Sequence, residues 1–236
     1  MKTPVLSTLG RLLLLALAGV FLGGCCSSPI FRANFDADTV GALPNSNPPG
    51  NPVGDTIWST ASGDPALLSV VNDPVFSSRS VRFANTGPLI RYVGFIPIDA
   101  SSSAEKIFAY WAGVMGSASA PLDIWLGDTH FATIGGIRFE SGNVRVRTAA
   151  GYDTIGSYTP GVSHVVVLTF NRSAGTFGVS FLQGGNSSSS TDLPLITPSA
   201  AGTIRPTLYM AYLGGGSASA QYVADDIVIS ERQPNL

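Results

Sequence analysis

Short apolar runs recur at close spacing along almost the whole chain, each bounded by Gly, Pro, Asn, Asp or Ser. Runs this short, punctuated by turn formers, bury a face only by pairing with neighbours, which predicts a β-sandwich or barrel rather than βαβ units. Strands are expected at 30–35, 66–71, 79–84, 88–95, 105–115, 121–127, 131–139, 143–149, 163–170, 175–182, 204–213 and 221–230. One segment competes for helix: Ser102 and Glu105 have capping-box spacing, and Ile107, Phe108, Trp111, Val114 and Met115 share one helical face. Aromatics crowd that segment, Gly113 lies within it and Gly116 just past it, and a central strand is apolar on both faces, so a strand is expected there too.

The clearest local signal is the hairpin Ile137 to Arg147. A two-residue turn at Ser141-Gly142 sets Phe139 opposite Val144, Ile137 opposite Val146 and Arg138 opposite Arg145, so one face is apolar and the other polar. Residues 41 to 56 contain four prolines, which remove donors and restrict their neighbours, and a long surface loop is expected. Asn186 to Thr191 and Gly214 to Ala220 read as low-complexity polar connections.

The N-terminus is an address. Lys2 and Arg11 flank the apolar segment Leu12 to Leu22, which is well short of the roughly 20 residues a spanning helix needs, so an export signal is expected. The tetrapeptide Leu22-Gly23-Gly24-Cys25 resembles the lipobox of bacterial lipoproteins, whose cysteine receives a diacylglyceryl group; that resemblance implies cleavage before Cys25 and a lipid anchor on it. An Asp after the lipidated cysteine resembles an inner-membrane retention signal; Cys26 stands there instead, so the outer membrane is expected. Cys26 is left without an intrachain disulfide partner. Cleavage removes two basic residues, leaving 11 against 15 acids and a net charge of about −4, which argues against nucleic acid as a partner. The expected organisation is a signal peptide over 1–24, a lipid-anchored linker over 25–29, one β-sandwich domain over 30–232 and a tail over 233–236.

The segment Ser163-His164-Val165-Val166-Val167-Leu168-Thr169-Phe170, the turn Asn171 to Gly175 and the strand Thr176 to Phe181 resemble a strand pair of the concanavalin A-like lectin and glucanase jelly roll, laminin G-like domains included. The closing run Tyr222 to Ile229 is similar to the last strand of many such modules. The resemblance spans Ile30 to Ser230 and implies an all-β, antiparallel two-sheet sandwich. It does not deliver a function, because the architecture carries lectins, adhesins, hydrolases and lyases. Glucanases of this fold usually place their carboxylates in a Glu-x-Asp-x-Glu pattern, which does not occur; the three glutamates, Glu105, Glu140 and Glu231, are isolated. The Arg, Gln-His and Tyr motifs of alginate-lyase relatives are not found either. The histidines, His130 and His164, lack a second ligand at zinc spacing, and there is no Gly-x-Ser-x-Gly elbow. The expectation is therefore that the chain is not an enzyme. Related sandwich modules often hold a structural calcium where first and last strands meet, which singles out Asp36, Asp38, Asp225 and Asp226; hydrogen-bonded turns and solvated carboxylates explain the same residues.

For ligand binding, Asp123 and Trp125 share one face of their strand, and Leu122, Ile124 and Leu126 the other. Arg138, Glu140, Arg145 and Arg147 also point away from the apolar side, and Arg138 facing Arg145 is unfavourable unless a carboxylate or an anionic ligand lies between them. An indole with planar charged groups suits a sugar, while a solvated outer face with Asp123 neutralising an arginine accounts for the same pattern. Trp58 and Trp111 are expected in packing. The expectation is a lipid-anchored envelope module binding polysaccharide or another envelope component through Asp123, Trp125, Arg138, Arg145 and Arg147. A glycan-cleaving hydrolase or lyase of the same fold, and a structural lipoprotein docking an envelope protein, are the alternatives.

Overall fold

A computed structural model describes residues 29–44, 56–59, 66–85, 90–97, 101–116, 121–128, 132–197, 204–213 and 221–234, with strand pairing alone for 56–59. No helix occurs among them. The strands are β1 (Phe31–Ala33), β2 (Thr56–Ser59), β3 (Leu68–Asp73), β4 (Ser78–Ala84), β5 (Arg91–Ile96), β6 (Lys106–Met115), β7 (Leu122–Gly127), β8 (Thr133–Glu140), β9 (Asn143–Thr148), β10 (Gly151–Ser157), β11 (Ser163–Asn171), β12 (Thr176–Gln183), β13 (Asn186–Pro194), β14 (Thr207–Tyr212) and β15 (Gln221–Ser230). They form two antiparallel sheets. One has eight strands, in the order β13-β12-β11-β6-β15-β4-β3 with β1 also paired to β15; the other has seven, in the order β10-β9-β8-β7-β14-β5-β2.

The contested segment is a strand. Ser102 makes an isolated bridge to Ile204 and its hydroxyl donates to Glu231, so it caps nothing helical. The hairpin forms in the expected register, Ile137 to Val146, Arg138 to Arg145 and Phe139 to Val144, and Ser141 and Gly142 take φ of 51° and 80° at the turn. Two positive φ values in succession make the primed turn that matches strand twist. Three strands depart from expectation. Asn186 to Thr191 is not a connection but most of β13, and β2 and β10 were not foreseen. All three lie at sheet edges, where one flank meets solvent and the sequence has no need of apolar alternation. Of the expected long loop, residues 45–55 lie outside the described residues, as does Gly214 to Ala220.

The inner faces of the two sheets supply one core, from Phe31 on β1 and Trp111 on β6 to Phe139 on β8, Phe181 on β12 and Tyr222 on β15, all nearly or fully buried. The core contains one polar chain. Trp111 Nε1 donates to the Tyr222 hydroxyl at 2.7 Å, which leaves that hydroxyl's own proton for His164 Nε2 at 2.9 Å. Burial drives the His164 pKa down to about 3, against a smaller opposing effect of the Val162 carbonyl, so the imidazole is neutral inside the fold. Gly113 makes room for this chain: a Cβ there would sit 2.6 Å from Tyr222 Cζ and 2.7 Å from His164 Nε2. His164 and Trp111 are thus core residues. His130 and the side chain of Trp58 lie outside the described residues.

Candidate functional site

Strand parity builds a polar patch on the outer face of the seven-stranded sheet. β7 sends Leu122, Ile124 and Leu126 into the core and Asp123 and Trp125 outward; β8 and β9 do the same with Ile137, Phe139, Val144 and Val146 against Arg138, Glu140, Arg145 and Arg147. Register then sets Asp123 beside Arg138, and Arg138 beside Arg145. The like charges are separated by carboxylates of the chain itself. Arg138 grips Asp123 with two bonds, Nε to Oδ1 at 2.6 Å and Nη2 to Oδ2 at 2.9 Å, while Arg145 Nη1 donates to Glu140 at 2.7 Å. Glu140 also approaches Arg138 Nη1 at 3.9 Å.

Tyr152, on the unforeseen strand β10, closes the group. Its hydroxyl donates to Asp123 Oδ2 at 2.8 Å and accepts from Arg138 Nη2 at 2.9 Å, and its ring lies 3.8 Å beneath the Arg138 guanidinium. Burial, followed by the Asp123 carboxylate, pushes the Tyr152 pKa up to about 12, so at neutral pH it remains a donor. The Arg138 guanidinium is held further above its usual range, chiefly by its bonds to Asp123. Strand parity pointed to Asp123 and to the arginine pattern in the sequence, but not to Tyr152, which sits in a polar edge strand with no apolar alternation to announce it.

Arg147, half-buried and facing Tyr152 across the β9–β10 pair, has no hydrogen bond or ion pair with the described residues. Three guanidinium groups therefore meet two carboxylates, and the patch carries one excess positive charge. Arg145, Arg147 and Glu140 are the more accessible members, the Arg145 and Glu140 side chains being 33% and 28% exposed against 7% for Asp123.

Trp125 shares this face but offers no open ring. It is buried, stacked on Tyr209 at 5.3 Å between centroids, and edge-on to Tyr92 at 6.3 Å. Gly136 on the neighbouring strand lets β7 and β8 approach closely here, since a Cβ there would come 2.6 Å from Trp125 Cβ and 2.5 Å from the Ile124 carbonyl. The expected sugar-stacking platform is thus filled by the protein's own tyrosines.

The four aspartates proposed for calcium do gather where β1 meets β15, close enough for Asp36 to act on Asp225. Several of their oxygens are already engaged. Arg79 Nη1 donates to the carbonyls of Asp36 and Asp38 at 2.9 and 2.6 Å, and Asp225 accepts from the Ser78 hydroxyl and the Asp226 amide. Asp38 and Asp225 are buried, whereas Asp226, at φ 48° in a bulge of β15, is exposed. Among the described residues no group of three or more His, Cys, Asp or Glu could hold a metal ion. Arg79 thus ties together the backbone of Asp36 and Asp38 in this cluster. Cys25 and Cys26 lie outside the described residues.

No family model and no curated protein matches the sequence. Solved structures do match. The catalytic domain of a glycoside hydrolase family 131 protein from Coprinopsis cinerea superposes with a TM-score of 0.61 at 13% identity, over 89% of this chain and 96% of that one. Lectin UEA-II complexed with galactose gives 0.52 at 9% identity, over 86% and 99%. A sialidase gives 0.59 at 12% identity over 86% of this chain, which spans only 19% of the sialidase. The expectation that the chain is not an enzyme, drawn from its missing catalytic motifs, is overturned: catalytic domains of glycoside hydrolases share its fold alongside lectins, so the absence of those motifs does not exclude catalysis. Identities this low speak for architecture alone: the chain has the concanavalin A-like jelly-roll fold.

Proposed function

We propose that the chain is an exported lipoprotein, anchored through Cys25 to the outer membrane, whose sandwich engages a carboxylate-bearing polysaccharide of the envelope through the outer face of the seven-stranded sheet. One observation carries this: three arginines share this face with two carboxylates, Arg138 and Arg145 engage both, and Arg147 is left without a hydrogen bond or ion pair among the described residues. A planar guanidinium with no internal carboxylate is a ready partner for a uronic-acid carboxylate, and the fold's use by lectins and glycoside hydrolases supports a saccharide as the bearer. Asp123, Arg138 and Tyr152, locked together, act as the platform that positions Arg145 and Arg147.

A second function is favoured by the pair Asp123 and Glu140, which one guanidinium brings together. Glycosidases work with two carboxylates flanking the bond they break, and Glu140 is the more accessible of the two. An array of neutral and uronic-acid oligosaccharides probed with the full chain tests both. Retention of acidic glycans, lost in Arg147→Ala, supports binding; new reducing ends that disappear in Glu140→Gln support cleavage. Acidic glycans held equally by wild type and Arg147→Ala, or by neither, exclude the arginine patch. For the anchor, Cys25→Ser should move the protein out of the membrane fraction, and a variant that stays there removes the lipid.

A further inference from the structure

We infer that the outer face of the eight-stranded sheet carries a second saccharide site, selective for neutral sugars, in the cleft beneath Phe76. This goes beyond the arginine patch and does not depend on it. The cleft holds about 400 Å³, within the range of about 300–1,000 Å³ usual for small-ligand sites. Ala112, Val165 and Leu182, from the adjacent strands β6, β11 and β12, are among its lining residues, and Asn186 and Ser187 bring polar groups from the start of β13.

Two turns give it shape. Phe76 projects from the β3–β4 connection, where the Asp73 side chain accepts from the Val75 amide at 2.9 Å and the Asp73 carbonyl accepts from the Ser77 amide at 3.1 Å. Ser77 takes a φ of 57° to close that turn. Phe76 is half-buried and lines the cleft. The β12–β13 turn is tied down by Gln183, whose amide accepts from Thr159 N and donates to the carbonyls of Thr159 and Val162. Gly184 and Gly185, at φ of 57° and 82°, let the chain reverse there and present Asn186.

The ligand class follows from this lining. A partly exposed aromatic ring beside apolar residues suits the C–H face of a pyranose, and an amide with a hydroxyl at the side suits its hydroxyl groups. No residue lining the cleft is charged, since His164 is neutral in the core, so nothing there rewards a carboxylate. The two outer faces therefore divide the chemistry, one taking acidic and one neutral sugar units.

The test titrates the full chain, in detergent without a sugar headgroup, with neutral β-glucan, xylan and mannan hexasaccharides and with a uronic-acid hexasaccharide. At least one neutral hexasaccharide should bind. Phe76→Ala should weaken it about tenfold or more, Asn186→Ala should weaken it several-fold, and Phe76→Tyr, which keeps the ring, should retain it. Binding of the acidic probe should be unchanged in all three, whereas Arg147→Ala should affect only the acidic probe. The proposal fails if no neutral hexasaccharide binds, or if Phe76→Ala and Asn186→Ala bind like wild type. It fails equally if the cleft takes only the apolar dye anilinonaphthalene sulfonate in a Phe76-dependent way. Failure of the acidic probe alone counts against the arginine patch and leaves the neutral site standing.

Discussion

Asp123→Ala isolates the group that organises the patch. The substitution deletes the two bonds from Arg138, at 2.6 and 2.9 Å, and the bond from Tyr152 at 2.8 Å, and leaves a guanidinium only 14% exposed without its main carboxylate. Removing one partner of a buried ion pair costs about 3–5 kcal/mol, mostly for the charge left behind. Glu140 stands 3.9 Å from the same guanidinium and can take up part of the load, which places the expected loss near the lower end, about 3 kcal/mol. At roughly 2–4 °C per kcal/mol for a domain of this size, thermal melting should shift down by about 6–12 °C. The companion Asp123→Ala/Arg138→Met removes the orphaned charge while keeping much of the stem, and it should recover a large part of the loss. A single-mutant shift below about 2 °C, or a double mutant no more stable than the single, would refute the buried pair as the organiser of this face.

Three further outcomes follow from the core and the chain ends. Tyr222→Phe strands Trp111 Nε1 and His164 Nε2 in the interior, at about 1–3 kcal/mol for each unpaired group, so urea unfolding should show a loss above 2 kcal/mol; a loss under about 1 kcal/mol contradicts the hydrogen-bond chain. His164 has a folded pKa of about 3 against an ordinary 6.5, so the folded state refuses a proton that the unfolded state takes up. Its contribution is therefore present above pH 6.5 and lost as pH falls toward 3, at up to about 1.4 kcal/mol per pH unit, and His164→Gln should flatten that acid limb; an unchanged slope sinks the assignment. Because Arg79 holds the carbonyls of Asp36 and Asp38, melting curves with chelator and with added calcium should coincide, and a calcium-dependent rise would show that those donors regroup around a metal.

What was legible in the sequence was whatever depends on neighbours along the chain. The Ser141-Gly142 turn and the alternation beside it fix the register of β8 and β9, and with it the outward row of arginines. Parity likewise put Asp123 and Trp125 on the polar side of β7. Long-range pairing was hidden. β7 lies between β8 and β14, so Tyr209, more than eighty residues further on, arrives beside Trp125 and buries it. β10 and β13 read as polar loops in the sequence because each is an edge strand with one wet flank, and Tyr152 lies on β10. The backbone of Asp36 and Asp38 is held by Arg79 of β4, and no spacing in the sequence announces that contact.

The most direct test of a carboxylate-bearing glycan on the seven-stranded sheet is hydrogen exchange of the full chain with and without a uronic-acid hexasaccharide. Slowed exchange should centre on β9 and β10, between Arg145 and Tyr152, and should vanish in Arg147→Ala. Protection confined to other strands, or protection at β9 and β10 that persists in Arg147→Ala, contradicts the proposed site.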